Sequence, residues 1–236
     1  MQIHVVTAFP NMFQGPLSES IIKRAKDKKL VDICIHDLRA FAHDKHHTLD
    51  DYPYGGGPGM ILKAEPVFLC VEHIISEYML ESPTVIFTTP SGTQYNQEKA
   101  IELSGLENMI ILCGHYKGID NRIIEQLVTL QISIGDYILT GGELASLIIC
   151  DATSRNIEGV LGNSESLEIE SFETPLLEAP SFSKPKIYHG ISVPSEYLKG
   201  NHSKIRSLKL ALSECKTKFF RPEQLLKHRT RKSYEK

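Results

Sequence analysis

The feature that most restricts the fold is a set of short apolar segments that each run into glycine or proline. Thr84 to Thr89 (TVIFTT) leads into Pro90-Ser91-Gly92, and Met109 to Cys113 (MIILC) leads into Gly114-His115-Tyr116-Lys117-Gly118. Within SIGDYILTGGE, 133 to 143, Ile134, Ile138 and Leu139 read as a third strand, broken by Gly141-Gly142. Helical patterns over about Gln97 to Leu103 and Asp120 to Val128 separate the three. Strands alternating with helices fold as a parallel sheet, because parallel neighbours need a crossover connection. Ligands bind such sheets off the carboxyl ends of the strands. The three loops are therefore expected to form one pocket for a small molecule. The plainer alternative is three ordinary turns.

Two further expectations come from the third segment. Thr140 and Glu143 have the spacing of a capping box, which predicts a helix over 143 to 155 with Leu144, Leu147, Ile148 and Ile149 inside it. Asp136, set among apolar residues, needs a partner if it is buried.

Upstream, Ile3 to Phe9 reads as a strand, Ser18 to Lys29 as a helix and Val31 to Leu38 as a strand. Ala64 to Leu80 reads as a long helix with Pro66 in its first turn, where proline is tolerated. Residues 43 to 60 between them are loop by composition. His43, His46, His47, Asp50 and Asp51 fit no zinc spacing, and the loop has no cysteine. Gly55, Gly56, Gly57 and Gly59 form neither a dinucleotide fingerprint nor a P-loop. Downstream, 156 to 180 is irregular and acidic, and Pro175, Pro180, Pro185 and Pro194 keep the next stretch of chain extended. Ser203 is expected to cap a helix to about Lys218, with Ile205, Leu208, Leu212 and Cys215 as its apolar stripe. A short helix near Pro222 and a basic end (Lys227, Arg229, Arg231, Lys232) complete the chain.

Charge separates the two parts of the chain. The net charge of −3 divides into −12 over residues 1–174 and +9 over residues 175–236. A basic end on an acidic body suits a polyanion such as nucleic acid; the alternative is a tail kept for solubility. The apolar runs are too short to span a bilayer, and no secretory signal is visible. Five widely spaced cysteines with no C-x-x-C pair fit reduced thiols in a cytoplasmic protein.

Six motifs taken together resemble one family. YGGGPGM (54 to 60), CGHYKGID (113 to 120), SIGDYILTGGE (133 to 143), SRNIEGVLGN (154 to 163), ESFETPLLEAP (170 to 180) and KGNHSKIR (199 to 206) match the order and spacing of the bacterial tRNA (guanine-N1)-methyltransferases of the TrmD type. The resemblance implies a SPOUT-type α/β trefoil knot with a parallel sheet, plus a small, mainly helical C-terminal domain, in a homodimer. It implies three parts: a domain over 1–163 that binds S-adenosylmethionine, a flexible linker over 164–174, and a basic domain over 175–236 that grips the anticodon arm of tRNA. The reaction implied is methyl transfer to N1 of the guanosine at position 37, next to the anticodon.

By motif position, Arg155 matches the family's arginine facing guanine O6. Glu170, just before Ser171-Phe172, stands where the family has its general-base aspartate. The cofactor would be held around Thr89, Pro90, Gly114, Tyr116, Gly118, Ile134, Gly135, Asp136, Tyr137, Ile138, Leu139, Gly141 and Gly142. Lys117 stands where the family usually has an acidic residue, which leaves open whether the Mg2+ often associated with the family is used here. Asn121, Glu158 and Leu208 also depart from the family pattern. The segment carrying Glu170 is expected to order only when tRNA binds. Two other readings stay open on sequence: a catalytically weak tRNA-binding relative, and a SPOUT enzyme acting on a ribose hydroxyl.

Overall fold

Five parallel strands form the sheet at the centre of the first unit, in the order β2-β1-β6-β5-β7. They are β1 (Gln2–Thr7), β2 (Asp32–Asp37), β5 (Thr84–Gln94), β6 (Asn108–Leu112) and β7 (Leu130–Ser133). The structure, a computed structural model, describes residues 1–162 and 170–226. Part of the expected linker and the basic residues Lys227, Arg229, Arg231 and Lys232 lie outside the described residues. The chain divides into two units, Met1–Gly162 and Asn163–Lys236.

Both faces of the sheet are covered, so its strands read as nearly continuous Ile, Val and Leu. Ile3 and Val5 of β1, Ile86 of β5 and Met109 and Ile111 of β6 point to one layer. There they meet Ile22 and Ala25 of α1 (Ser20–Asp27), Leu103 of α3 (Gln97–Ser104) and Ile149 and Cys150 of α5 (Glu143–Ser154). The alternate residues Val6, Val85, Phe87, Ile110 and Leu112 point to the other layer. They meet Val67, Val71 and Ile74 of α2 (Ala64–Glu77) and Ile123 of α4 (Asn121–Gln126). Each such Ile or Leu, fully buried, contributes roughly 1.5–3 kcal/mol.

The strand expected over Ile134 to Leu139 is not one. β7 ends at Ser133, and 134–142 is turn and irregular chain. Ile138 is 81% exposed, so its apolar character does not come from the core. The expected capping box is absent too. Gly142 precedes α5 with no side-chain cap, because Glu143 is turned inward and buried. Within the glycine-rich 43–60 region, β3 (Asp50–Asp51) pairs antiparallel with β4 (Ile61–Leu62), too short a pair to leave a periodic signal.

Strand β5 has an excursion. Thr88 and Thr93 both face Ile132 of β7, so residues 89–92 bulge out and return. At Gly92 a Cβ would lie 2.4 Å from the Ile132 backbone nitrogen, and at Gly142 one would lie 2.7 Å from the Cys113 Cα. The excursion within β5 thus closes on β7, and the chain just before α5 closes on β5 and the end of β6, too tightly for any side chain at either glycine.

The second unit is built on α7 (His202–Phe220), with a short hairpin of β8 (Ile187–Tyr188) and β9 (Ile191–Ser192) and the single turn α6 (Ser195–Leu198). Asn201 rather than Ser203 caps α7, its side chain accepting from the Lys204 amide at 3.1 Å. Segment 174–180 is fastened along α7: the Leu177 amide donates to Thr217 Oγ1 at 2.8 Å, and Lys216 Nζ donates to the Glu178 carbonyl at 3.0 Å. Thr217, not the exposed Cys215, is the buried residue of this helix.

Candidate active site

Off the carboxyl ends of β5, β6 and β7 lies a cleft of about 430 Å³. The excursion within β5 supplies Thr89 and Pro90 to its wall, with Thr88 at its start, and the loop after β6 supplies Gly114 to Ile119. The turn from β7 to α5 supplies Ser133 to Gly142, apart from Asp136. Every residue expected to hold a cofactor thus lies in this wall except Asp136, whose side chain is exposed and needs no partner. The apolar residues misread as a strand, Ile134, Ile138 and Leu139, are wall residues.

Glycine is demanded here by space. A Cβ on Gly142 would come within 2.8 Å of the Thr88 hydroxyl, the Cys113 Cα and the Gly114 amide. The Gly142 amide instead donates to the Gly114 carbonyl at 2.9 Å, joining two of the loops. A Cβ on Gly141 would fall 2.3 Å from the His115 ring and 2.5 Å from Glu143 Oε2.

That crowding reflects a buried polar buttress. Glu143, 1% exposed, accepts from the Thr7 hydroxyl at 2.6 Å, and its other oxygen lies 2.7 Å from His115 Nε2. Thr7 Oγ1 in turn accepts from the Phe9 amide at 2.9 Å. Three segments distant in sequence, the ends of β1 and β6 and the start of α5, are held together at the base of the cleft. Sequence reading missed this set, since the Thr7–Glu143 pair spans 136 residues. A glutamate directly after a Gly-Gly turn, with no cap to make, is the signal that could have found it.

The chemistry of the wall is mostly neutral. Complete burial pushes the Cys113 thiol well above its usual range, so it is not a nucleophile. Burial, then nearby Asp50, raises the Tyr116 phenol. Lys117 brings a formal positive charge, and no aspartate or glutamate lines the cleft among the described residues. In the 43–60 region, Asp44 accepts from Thr48 and His46, and His47 Nδ1 lies 3.0 Å from the Ala42 carbonyl. Among the described residues no group of His, Cys, Asp or Glu could hold a metal.

Arg155 comes directly after the last turn of α5 in the first unit, its amide bonded to the Asp151 carbonyl at 3.2 Å. Glu170 belongs to the second unit and opens a turn rather than a helix. The Glu173 amide donates to the Glu170 carbonyl, and Phe172 adopts a positive φ of 77° as its amide reaches the Leu176 carbonyl. Arg221 sits 5.7 Å over the Phe172 ring. Glu170 lines a second cavity, of about 630 Å³, with His202, Arg206 and Lys209 of α7.

A sequence profile described as tRNA (Guanine-1)-methyltransferase TrmD matches residues 1–228. The chain belongs to the TrmD family. A tRNA (guanine-N(1)-)-methyltransferase of Sulfurimonas denitrificans is 54% identical over 230 residues, covering 98% of this chain and 99% of that protein. One from Campylobacter jejuni is 48% identical over 236 residues, covering 98% and 100%. The crystal structure of a tRNA (m1G37) methyltransferase from Aquifex aeolicus superposes with a TM-score of 0.77 at 36% identity, over 92% of each chain. The fold is therefore that of TrmD, a SPOUT-type α/β knot with a mainly helical C-terminal part.

Proposed function

We propose that this chain transfers a methyl group from S-adenosyl-L-methionine to N1 of the guanosine at position 37 of tRNA. The observation that carries the reading is the cleft, in which three strand-end loops converge around glycines that admit no side chain. It fits the cofactor: Ile134, Ile138, Leu139 and Tyr137 offer an apolar slot for a purine, and the bare backbone at Gly141-Gly142 permits close approach. The cofactor, when bound, supplies a methyl group already activated on a sulfonium.

The protein's remaining work is proton removal, charge stabilisation and alignment. Glu170 takes the proton from guanine N1. Arg155 donates to O6, where negative charge develops as that proton leaves. Both roles rest on motif position. Glu170 has one methylene more than the family's aspartate, and its turn, fixed by the bonds at Phe172 and Glu173, sets the reach of the carboxylate. A magnesium ion does not fit the cleft wall, which has an ammonium and no carboxylate; hard divalent cations take oxygen ligands. No step is routed through one.

The second unit is the tRNA-binding part. Lys204, Arg206 and Lys209 on α7 are exposed and suited to phosphates, which fix register without reading sequence. A homodimer is supported by exposed apolar residues on adjoining elements: Met12 beside α5, and Leu144 and Ile148 on it, are 42%, 48% and 44% exposed. No helix among the described residues is long and apolar enough to cross a membrane. The site of action proposed is the cytoplasm, where tRNA is processed.

The test is methylation of an unmodified tRNA transcript, read by nucleoside mass spectrometry. The expected product is 1-methylguanosine, absent from a transcript with adenosine at position 37. Glu170→Ala should abolish it while cofactor binding persists. A ribose-methylated product, or none, would overturn the proposal.

A further inference from the structure

The cleft has a charge problem that Lys117 answers. S-adenosylmethionine carries a carboxylate on its methionine tail, and a carboxylate taken into a cleft needs a cationic partner. Among the described wall residues only Lys117 has a fixed positive charge; the other basic group, His115, is already engaged by Glu143. We propose that the Lys117 ammonium binds the carboxylate of the cofactor's methionine tail. This inference rests on the cleft being the cofactor site.

The lysine is held for that task. Its stem lies against the glycine-rich loop: a Cβ on Gly59 would be 3.0 Å from both Lys117 Cδ and Cε. The two segments are zipped by backbone bonds, each 3.0 Å, from the Lys117 amide to the Met60 carbonyl, Leu62 to Gly118, and Asp120 to Leu62. Gly59 has a φ of +90°, so both its conformation and its space favour glycine. The YGGGPGM loop thereby acquires a role: its last glycine gives the stem of the cleft's fixed cation a wall to lie on.

The charge has a second effect. An ammonium attracts the carboxylate but repels the sulfonium. S-adenosylhomocysteine keeps the first and has lost the second, so Lys117 should favour it more than it favours S-adenosylmethionine. 5′-Methylthioadenosine lacks the amino-acid tail and should be nearly indifferent to the lysine.

The experiment is calorimetric titration of the full chain with these three compounds at fixed ionic strength. In Lys117→Gln the Kd for S-adenosylhomocysteine should rise about tenfold, that for S-adenosylmethionine less, and that for 5′-methylthioadenosine less than about twofold. Lys117→Arg should restore the tail-dependent affinity. Gly59→Ala should reproduce the Lys117→Gln pattern at smaller size by displacing the stem. Equal losses for all three compounds, or no loss, would overturn the proposal. So would a defect confined to tRNA binding, which would place the ammonium against phosphate. If the unaltered chain binds none of the three, the cofactor reading itself fails; if it binds all three and Lys117→Gln shows no tail dependence, only the assignment of Lys117 fails.

Discussion

Acidification should loosen the first unit through two histidines far from the cleft. His4 of β1 is fully buried, and its Nδ1 lies 3.1 Å from Nε2 of His36 on β2. Tyr78 presents its edge to both rings, and His4 Nε2 is buried with no partner. Such a pair shares one proton between the facing nitrogens, so a further proton either breaks the bond or leaves a charge in the core. Burial, then the charges of His4 and His73, depress His36 to about 4; burial also lowers His4, with Asp32 opposing it. Cys34 and Asp32 of β2 are the other titratable groups beside them.

These directions set the sign. The unfolded chain takes up the His36 proton near pH 6.5, while the folded chain resists it until about pH 4. The contribution is fully present above pH 6.5 and is lost as pH falls through that window. For His36 alone, the loss between pH 8 and pH 5 is at most about 2 kcal/mol, because the ring is only half-buried and solvent screens part of the effect, and His4 adds to it in the same direction. Urea unfolding monitored by circular dichroism at pH 8 and pH 5 measures it. His36→Gln keeps a hydrogen-bonding side chain that does not titrate, and should flatten the acid slope by about 1–2 kcal/mol. An identical slope in the two proteins would refute the reasoning.

Other outcomes are also expected. Glu143→Ala leaves the Thr7 hydroxyl and the His115 ring without their shared acceptor, and should cost about 2–4 kcal/mol in denaturant unfolding. Gly142→Ala drives a methyl against the backbone of Cys113 and Gly114, and should abolish S-adenosylhomocysteine binding by calorimetry. Gly15→Ala, where nothing lies within 4 Å, should leave that binding intact. Thr217→Val removes the acceptor of the Leu177 amide and should cost about 1–2 kcal/mol in the second unit, seen as faster hydrogen exchange at residues 174–180.

Sequence patterning revealed the parallel sheet because its strands and covering helices carry strong local signals. TVIFTT and MIILC became β5 and β6, and Pro66 lies in the first turn of α2 as expected. The pocket was also legible, since glycine and proline mark where strands stop. The misreading of Ile134 to Leu139 has a physical cause: the wall of a cleft and a core strand use the same apolar side chains. Glu143 was misread because capping is a local rule, whereas its partners Thr7 and His115 come from other strand ends. Arg155 and Glu170 could be singled out only by resemblance. They belong to different units, and no local pattern pairs them.

The narrow passages at Gly92 and Gly142 bear on the order in which the protein is made. A ribosome delivers residues 84–118, which carry the β5 excursion and the loop after β6, before the segment from β7 to α5 against which they pack so closely. A circular permutant opened between α4 and β7 would reverse that order, producing residues 130–154 first. Residues 84–118 would then pack against a segment already emerged, reversing the order in which the two sides of these close contacts are assembled.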